Sequence, residues 1–215
     1  MRKFTASFIA TALLVSAQDE PAADAKQPKK EEKPQFVIDL EALSKEDMGA
    51  YSNAFRRANS LFQQKRIFES LEALEEVDAI YAKNPASLTL RGACYVEFRA
   101  FDKARMVFAR SLKINPGNFN VRFNVAEIEF VTKNYAKALG ILEPLLLEAK
   151  KNKATESMTP LIKFKMALCK IKTGDLAGAE AIVAETDFLD DSPLFYFGKA
   201  ALAYEKDDGV GAEKW

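Results

Sequence analysis

The chain has 215 residues, of which 48% are hydrophobic and 29% charged, and its 31 basic and 31 acidic side chains give a formal net charge of zero. This apolar fraction is enough for a folded core, and the balanced charge argues against binding of nucleic acid through phosphate contacts. The absence of histidine excludes Ser-His-Asp and Cys-His catalysis and histidine-ligated zinc. Nine glycines and eight prolines favour long helices over a turn-rich β architecture.

The N-terminus has the pattern of a secretory signal. Arg2 and Lys3 precede an apolar, acid-free stretch at 4–15, and small residues then lead into a polar segment. This stretch is too short for a transmembrane helix, which needs about 20 apolar residues, so we expect no membrane span in the mature protein. The pattern predicts a signal peptide at 1–17, cleaved after Ala17, and an exported protein, periplasmic or secreted. An uncleaved amphipathic or buried helix is the alternative.

The next segment, 18–36, is predicted to be a solvated linker. It carries three prolines and mixed acids and lysines, and up to residue 35 no apolar side chain larger than alanine. Such a composition cannot bury enough surface to offset its ordering entropy. The helical domain is therefore expected at 37–215.

Beyond the linker, apolar residues recur at helical spacing, and Asn84-Pro85 and Asn115-Pro116 end helices because proline cannot continue them. Between these two stops the chain places large, small and aromatic residues in a fixed order: Leu88, Gly92, Tyr95, Phe101, Ala104, Phe108 and Pro116. This order resembles the tetratricopeptide repeat, in which two antiparallel helices approach closely at small residues.

Three positions of the pattern return along the chain at intervals of about 34 residues. The small residue of the first helix recurs as Gly92, Ala126, Ala167 and Gly198. The alanine of the second helix recurs as Ala104, Ala138, Ala179 and Ala212. The residue that enters the second helix recurs as Phe68, Phe101, Tyr135 and Leu176. An earlier copy fits Phe55, Ala58 and Phe62, so we predict four full helix pairs and part of a fifth, with an insertion near 149–157.

The resemblance implies an all-α fold, an α-solenoid of stacked antiparallel helix pairs with a right-handed superhelical sense. In this family the first helices line a concave wall that binds extended or helical peptides. We therefore expect a non-enzymatic scaffold that binds a protein or peptide partner, without cofactor, metal or nucleic acid. An enzyme with a carboxylate site on a helical scaffold is a remote alternative.

The residues expected to line this wall are those of the first helices that do not face their own second helix. They are Thr89, Ala93, Val96, Glu97, Phe123, Glu127, Phe130, Phe164, Leu168, Ile171 and Lys172. The apolar members indicate a groove for a partner's amphipathic segment, because contiguous exposed apolar surface marks an interface. Alternatively, they pack against a later helix of the chain itself.

Other polar features are interpreted as structural. Asp190-Asp191 and Asp207-Asp208 lie where helices are expected to begin or end, which favours helix caps over a metal site. The lysines at 150–153 are expected in a solvated loop, with an anion site as the alternative. Cys94 and Cys169 occupy equivalent places two repeats apart, too distant for a disulfide, so two unpaired buried thiols are expected.

The C-terminal residues 211–215 resemble the opening of a second helix. A solenoid needs a polar cap on its last repeat, so the chain is expected to be a fragment or to have its end covered by another subunit. The residues of this open end are Leu194, Phe197, Ala201, Tyr204 and Trp215. The alternative function is therefore a structural subunit that self-associates through its C-terminal repeat.

Overall fold

The computed structural model describes residues 33–187, 189 and 192–215, and these ranges contain twelve α-helices. The expected signal peptide at 1–17 and most of the expected linker at 18–36 lie outside the described residues. The first helix begins at Gln35, within the last two residues of that linker.

The chain divides into two compact units, the first ending at Gly117 and the second beginning at Asn118. Unit 1 contains α1 (Gln35–Glu41), α2 (Lys45–Gln63), α3 (Ile67–Tyr81), α4 (Pro85–Glu97) and α5 (Phe101–Ile114). Unit 2 contains α6 (Phe119–Val131), α7 (Tyr135–Ala149), α8 (Lys153–Glu156), α9 (Thr159–Lys172), α10 (Leu176–Val183), α11 (Pro193–Glu205) and α12 (Gly209–Glu213). Successive helices form the pairs α2/α3, α4/α5, α6/α7, α9/α10 and α11/α12. The prediction of an all-α fold built from stacked antiparallel pairs is confirmed.

Each pair turns through one residue in the left-handed region, two residues after its first helix ends. These residues are Lys65, Arg99, Lys133, Gly174 and Asp207, with φ between 56° and 84°. The next backbone N–H donates to a carbonyl five residues back, as in the turn after α4, where Ala100 N lies 2.8 Å from Tyr95 O. The turns follow one another at steps of 34, 34, 41 and 33 residues, so the backbone supplies a register that is independent of side-chain pattern.

This register corrects the assignment of the first repeat by one residue. The turn at Lys65 aligns Ile67 with Phe101, where Phe68 was predicted. Ile67 is 8% exposed and belongs to the core, whereas Phe68 is 68% exposed. In the same way Ala58, fully buried, occupies the place of Gly92. The prediction aligned the repeats by their aromatic residues, whereas the position of the turn sets the alignment of one repeat with the next.

The last repeat is corrected by two residues. The turn at Asp207 aligns Ala200 with Gly92, where Gly198 was predicted. Gly198 is small for another reason, since a Cβ there would lie 2.8 Å from Cγ2 of Val183 in the preceding pair. At Gly92 the added Cβ would instead meet the ring of Phe108 in its own second helix.

The alanines of the second helices are placed as predicted. Ala104, Ala138 and Ala179 are fully buried, and Ala212 is 8% exposed. In the first pair Ser70 takes this position, also fully buried, and its hydroxyl donates to the Ala58 carbonyl at 2.8 Å. That bond satisfies a hydroxyl that would be costly to bury alone.

Each unit has its own apolar core. In unit 1 the core surrounds Leu74 and Val77, and in unit 2 it surrounds Leu142, Leu145 and Ile162. Burial of each such side chain stabilises the fold by about 1.5–3 kcal/mol relative to exposure. The predicted unpaired thiols are confirmed, because both cysteines are free and buried, one in each core.

The insertion predicted near 149–157 is occupied by α8, a four-residue helix. The prediction of a cap is confirmed for Asp208, whose carboxylate accepts from Gly211 N at 2.8 Å at the start of α12. Asp190 and Asp191 lie outside the described residues. Among the residues that are described, no helix combines the length and the apolar character needed to cross a membrane.

Candidate functional site

The wall residues predicted in unit 1 all lie on α4 and are half-buried. Thr89 donates its hydroxyl to the Pro85 carbonyl at 2.6 Å, and Glu97 accepts from Lys65 Nζ at 2.9 Å. Ala93 and Val96 are small or medium in size. This part of the wall therefore offers little apolar surface.

The structure corrects two of the wall residues predicted in unit 2. Phe123 on α6 and Ile171 on α9 are each 3% exposed and belong to the core of the unit. The others, Phe130, Phe164 and Leu168, are half-buried and pack on the edge of that core. The alternative weighed for the apolar wall, packing within the chain, therefore holds for the first two residues.

The most exposed aromatic residues near this wall lie on α11. Phe197 is 61% exposed and Tyr204 is 74% exposed. The ring centroids of Phe197 and Phe164 lie 6.4 Å apart with a tilt of 44°, so α9 and α11 present one continuous surface. We call this surface the aromatic patch and define it by five residues: Phe164, Leu168, Phe197, Ala201 and Tyr204.

The sequence predicts Phe197, Ala201 and Tyr204 at the open C-terminal end and not on the wall. The alanine of the second helix carried the correct signal: Ala212 follows Ala179 by 33 residues, as the turns do. With that register Phe197 becomes equivalent to Phe164, and Tyr204 to Ile171. A count from the second helix would have found both.

The expected open end is only partly covered, because Phe197, Tyr204 and Trp215 remain 61%, 74% and 40% exposed. Leu194 is 1% exposed and Leu202 is 8% exposed, and Trp215 packs edge-to-face on Phe195 with ring centroids 5.5 Å apart. Lys199 Nζ lies 4.0 Å from the Phe195 centroid and 4.3 Å from that of Trp215, a double cation–π contact. The chain itself covers Leu194 and Leu202, whereas Phe197 and Tyr204 stay exposed and form part of the aromatic patch.

The charges around the patch are paired within unit 2. All four charged residues of α9 are lysines, and each has a carboxylate partner at 2.6 to 3.0 Å: Lys163 with Glu185, Lys165 with Glu127, Lys170 with Asp175, and Lys172 with Glu205. The hydrogen bond from Lys163 lowers the pKa of Glu185, and that from Lys170 lowers the pKa of Asp175. The patch is thus apolar and electrically neutral.

Two of these ion pairs border the wall. Lys165 Nζ lies 2.9 Å from Glu127 and 4.6 Å from the Phe130 ring centroid, with both charged side chains less than 20% exposed. The pair of Lys172 and Glu205 is more open, with side-chain exposures of 53% and 39%. Only the latter pair is positioned to exchange its charges with a partner.

The described residues contain no cluster of three or more carboxylates or thiols that could hold a metal ion. Burial raises the pKa of the Cys94 thiol and raises that of Cys169 to about 11, so neither is a thiolate near neutral pH. The aromatic patch therefore supports non-covalent packing of apolar side chains.

Comparison with known proteins agrees with this architecture. The family model described as tetratricopeptide repeat matches residues 95–155. A solved structure of PilW, described as a widely conserved type IV pilus biogenesis factor, matches with a TM-score of 0.62 at 17% identity, over 76% of this chain and 73% of that one. The chain thus has the fold of tetratricopeptide repeat proteins, and its residues 95–155 match the model of that repeat.

Two further solved structures share this fold. MamA residues 41 to the end, from Desulfovibrio magneticus RS-1, give a TM-score of 0.64 at 17% identity, over 77% of this chain and 90% of that one. YrrB, described as a TPR protein with an unusual peptide-binding site, gives 0.58 at 15% identity, over 85% and 88%. A comparison with curated proteins finds no match. At these identities the likeness shows the fold alone.

Proposed function

We propose that this chain is a non-enzymatic scaffold that binds a segment of a protein partner on the aromatic patch of unit 2. The observation that carries the proposal is the exposure of Phe197 and Tyr204, at 61% and 74%, beside Phe164 and Leu168 on the first helices of consecutive pairs. Contiguous exposed apolar surface of this kind marks an interaction site. The fold shared with YrrB, which is described with a peptide-binding site, supports a peptide as the partner.

Binding would remove apolar surface of both molecules from water, which contributes about 25 cal/mol for each Å². The neutrality of the patch favours an apolar or amphipathic segment over a highly charged one. The exposed pair of Lys172 and Glu205 at its border would orient the segment, because each can pair with a partner charge in place of the other. Thr89, Ala93, Val96 and Glu97 remain in the proposal as the unit 1 part of the wall, which offers little apolar surface.

The proposal includes export. Its support is the N-terminal sequence, with two basic residues, a short apolar stretch and small residues before position 18. The proposed division is a signal peptide at 1–17, a linker at 18–36 and the repeat domain at 37–215. Expression of the full chain in a bacterial host, followed by N-terminal sequencing of the exported protein, should give Gln18 as the first residue. An intact N-terminus retained in the cytoplasm would contradict export.

Binding is tested with the double variant Phe197→Glu, Tyr204→Glu. Both side chains are exposed, so the fold should persist, which far-UV circular dichroism checks. The matched control is Leu147→Glu on α7, since Leu147 is 62% exposed but lies outside the patch. Phe123→Glu is unsuitable, because Phe123 is buried and its loss would unfold the unit.

The probe is a phage-displayed library of random peptides, selected on the immobilised protein. The wild type and the Leu147→Glu control should enrich the same apolar or amphipathic sequences, and the double variant should enrich none of them. Equal enrichment by the double variant would show that the patch is not the binding site. Failure of the wild type to enrich any sequence would refute peptide binding itself.

A further inference from the structure

The second helices of unit 1 carry opposite charges. Helix α3 contains five acidic residues and no basic one: Glu69, Glu72, Glu75, Glu76 and Asp78. Helix α5 contains four basic residues and a single acid in its first turn: Lys103, Arg105, Arg110 and Lys113, with Asp102. The two helices are 15 and 14 residues long, so the opposed charges extend over similar lengths.

The same two helices carry the most exposed large apolar side chains of unit 1 among the described residues. Phe68 on α3 is 68% exposed, and Met106 on α5 is 69% exposed. Helical spacing places Glu72 and Glu75 on the face of Phe68, one and two turns on, and Arg110 and Lys113 likewise follow Met106. Each helix therefore presents a solvent-facing stripe of one apolar residue and charges of one sign. We call the two stripes together the outer face.

Contacts inside the chain leave much of this charge open. Arg91 binds Glu75 at 2.6 Å, yet the Glu75 side chain stays 72% exposed. Arg57 pairs with Glu76, which is 59% exposed. Burial raises the pKa of Asp78 on α3 and the nearby Arg110 opposes that rise, so part of the charge of Arg110 is balanced inside the chain. In the described part of the chain no hydrogen bond or ion pair engages Glu72, Arg110 or Lys113.

We propose that the outer face of unit 1 binds the outer face of a second copy of this chain. Because consecutive helices alternate in direction, α3 and α5 point the same way. A twofold axis parallel to them would place α3 of each copy against α5 of the other, so that the contact occurs twice. The glutamates of one copy then meet Arg110 and Lys113 of the second copy, while Phe68 and Met106 add apolar burial.

Charge complementarity favours this occupant over others. A membrane of anionic lipids or a nucleic acid would be attracted by α5 but repelled by the acidic α3 beside it. An acidic segment of another protein would neutralise α5 and leave the exposed Glu72, Glu75 and Glu76 unmatched. A second copy satisfies both stripes at once.

The experiment is sedimentation equilibrium of the full chain at low and high salt. The wild type should dimerise, and its dissociation constant should rise about tenfold between 0.05 and 0.5 M NaCl, because salt screens exposed charges. Two charge-reversed variants are compared: Glu72→Lys on α3, and Arg110→Glu with Lys113→Glu on α5. Each variant alone brings like charges together and should be monomeric.

An equimolar mixture of the two variants should dimerise again, because both contacts then join opposite charges. The control Lys151→Glu with Lys153→Glu reverses two exposed lysines of unit 2 and should dimerise like the wild type. The double variant Phe197→Glu, Tyr204→Glu should also dimerise like the wild type, because its substitutions lie in the aromatic patch and not in the outer face. Dimerisation of either charge-reversed variant alone at the wild-type level would overturn the proposal, as would a mixture that stays monomeric. A monomeric wild type that binds poly-glutamate through Arg110 and Lys113 would overturn it in favour of an acidic partner.

Discussion

The close approach of α4 and α5 at Gly92 makes a prediction about stability that can be worked from distances. In Gly92→Ala the new Cβ would lie 2.3 Å from Cε1, 2.6 Å from Cδ1 and 2.7 Å from Cζ of Phe108. Ordinary contacts of a Cβ begin at 3.4 Å, so one of the two helices has to move by about 1 Å. The Phe108 ring is fully buried, so it cannot move aside into solvent.

The free energy of unfolding of Gly92→Ala is expected to fall. Overpacking of a filled core typically costs about 1–3 kcal/mol. The higher helix propensity of alanine offsets up to about 1 kcal/mol of this loss in unfolding free energy. The net expectation is a loss of about 1–2 kcal/mol. The matched control is Gly49→Ala in α2, where the added Cβ has no neighbour within 4 Å, and this variant should gain about 0.5–1 kcal/mol.

The assay is equilibrium unfolding in urea, followed by far-UV circular dichroism. The same substitution should change the unfolding midpoint in opposite directions at the two glycines. A second variant, Phe108→Leu, tests the cause, because Gly92→Ala should cost less in that background than in the wild type. If Gly92→Ala is as stable as Gly49→Ala, the contact between Gly92 and Phe108 does not limit the approach of the two helices.

Two further predictions concern protons and thiols. Burial, together with the hydrogen bond to Asp39, raises the pKa of Tyr81 from 10.0 to about 12. The folded state therefore holds the phenol proton more tightly than the unfolded state does. The stability that this proton contributes is present below pH 10 and is lost between pH 10 and 12. In Asp39→Asn the pKa of Tyr81, followed by its ¹³Cζ chemical shift, should decrease, and an unchanged titration would contradict the role of the carboxylate. Because burial raises the pKa of both cysteine thiols, Ellman's reagent at pH 8 should label neither Cys94 nor Cys169 in the folded protein and both in urea. Rapid labelling of the folded protein would show that a core opens.

The middle repeats were predictable because their signals are local and strong. Gly92, Ala104 and Phe108 form one contact, and a helix pair closes only with small residues opposite a large one. The same logic found Ala126 and Ala138 one repeat later. The buried cysteines followed from their equivalent places in this register.

In the first and last repeats one position was assigned out of phase, because a residue that matches the pattern occurs there one or two places away from the equivalent position. Phe68 was chosen over Ile67, and Gly198 over Ala200. In both cases the side chain that matched the pattern has another environment: Phe68 faces solvent, and Gly198 packs on the preceding pair. The turn conformation at Lys65 and Asp207, which sets the phase, has no residue-type signature beyond a tolerance for positive φ.

The sequence by itself determined the helix pairs and their interval, because helix periodicity, proline stops and small residues at close contacts act within a few turns of chain. Only the tertiary structure decided which wall residues are exposed. Phe123 and Phe197 are the same residue type at equivalent places on α6 and α11, yet their exposures are 3% and 61%. Exposure depends on what packs above a side chain, and those neighbours come from elements distant in sequence.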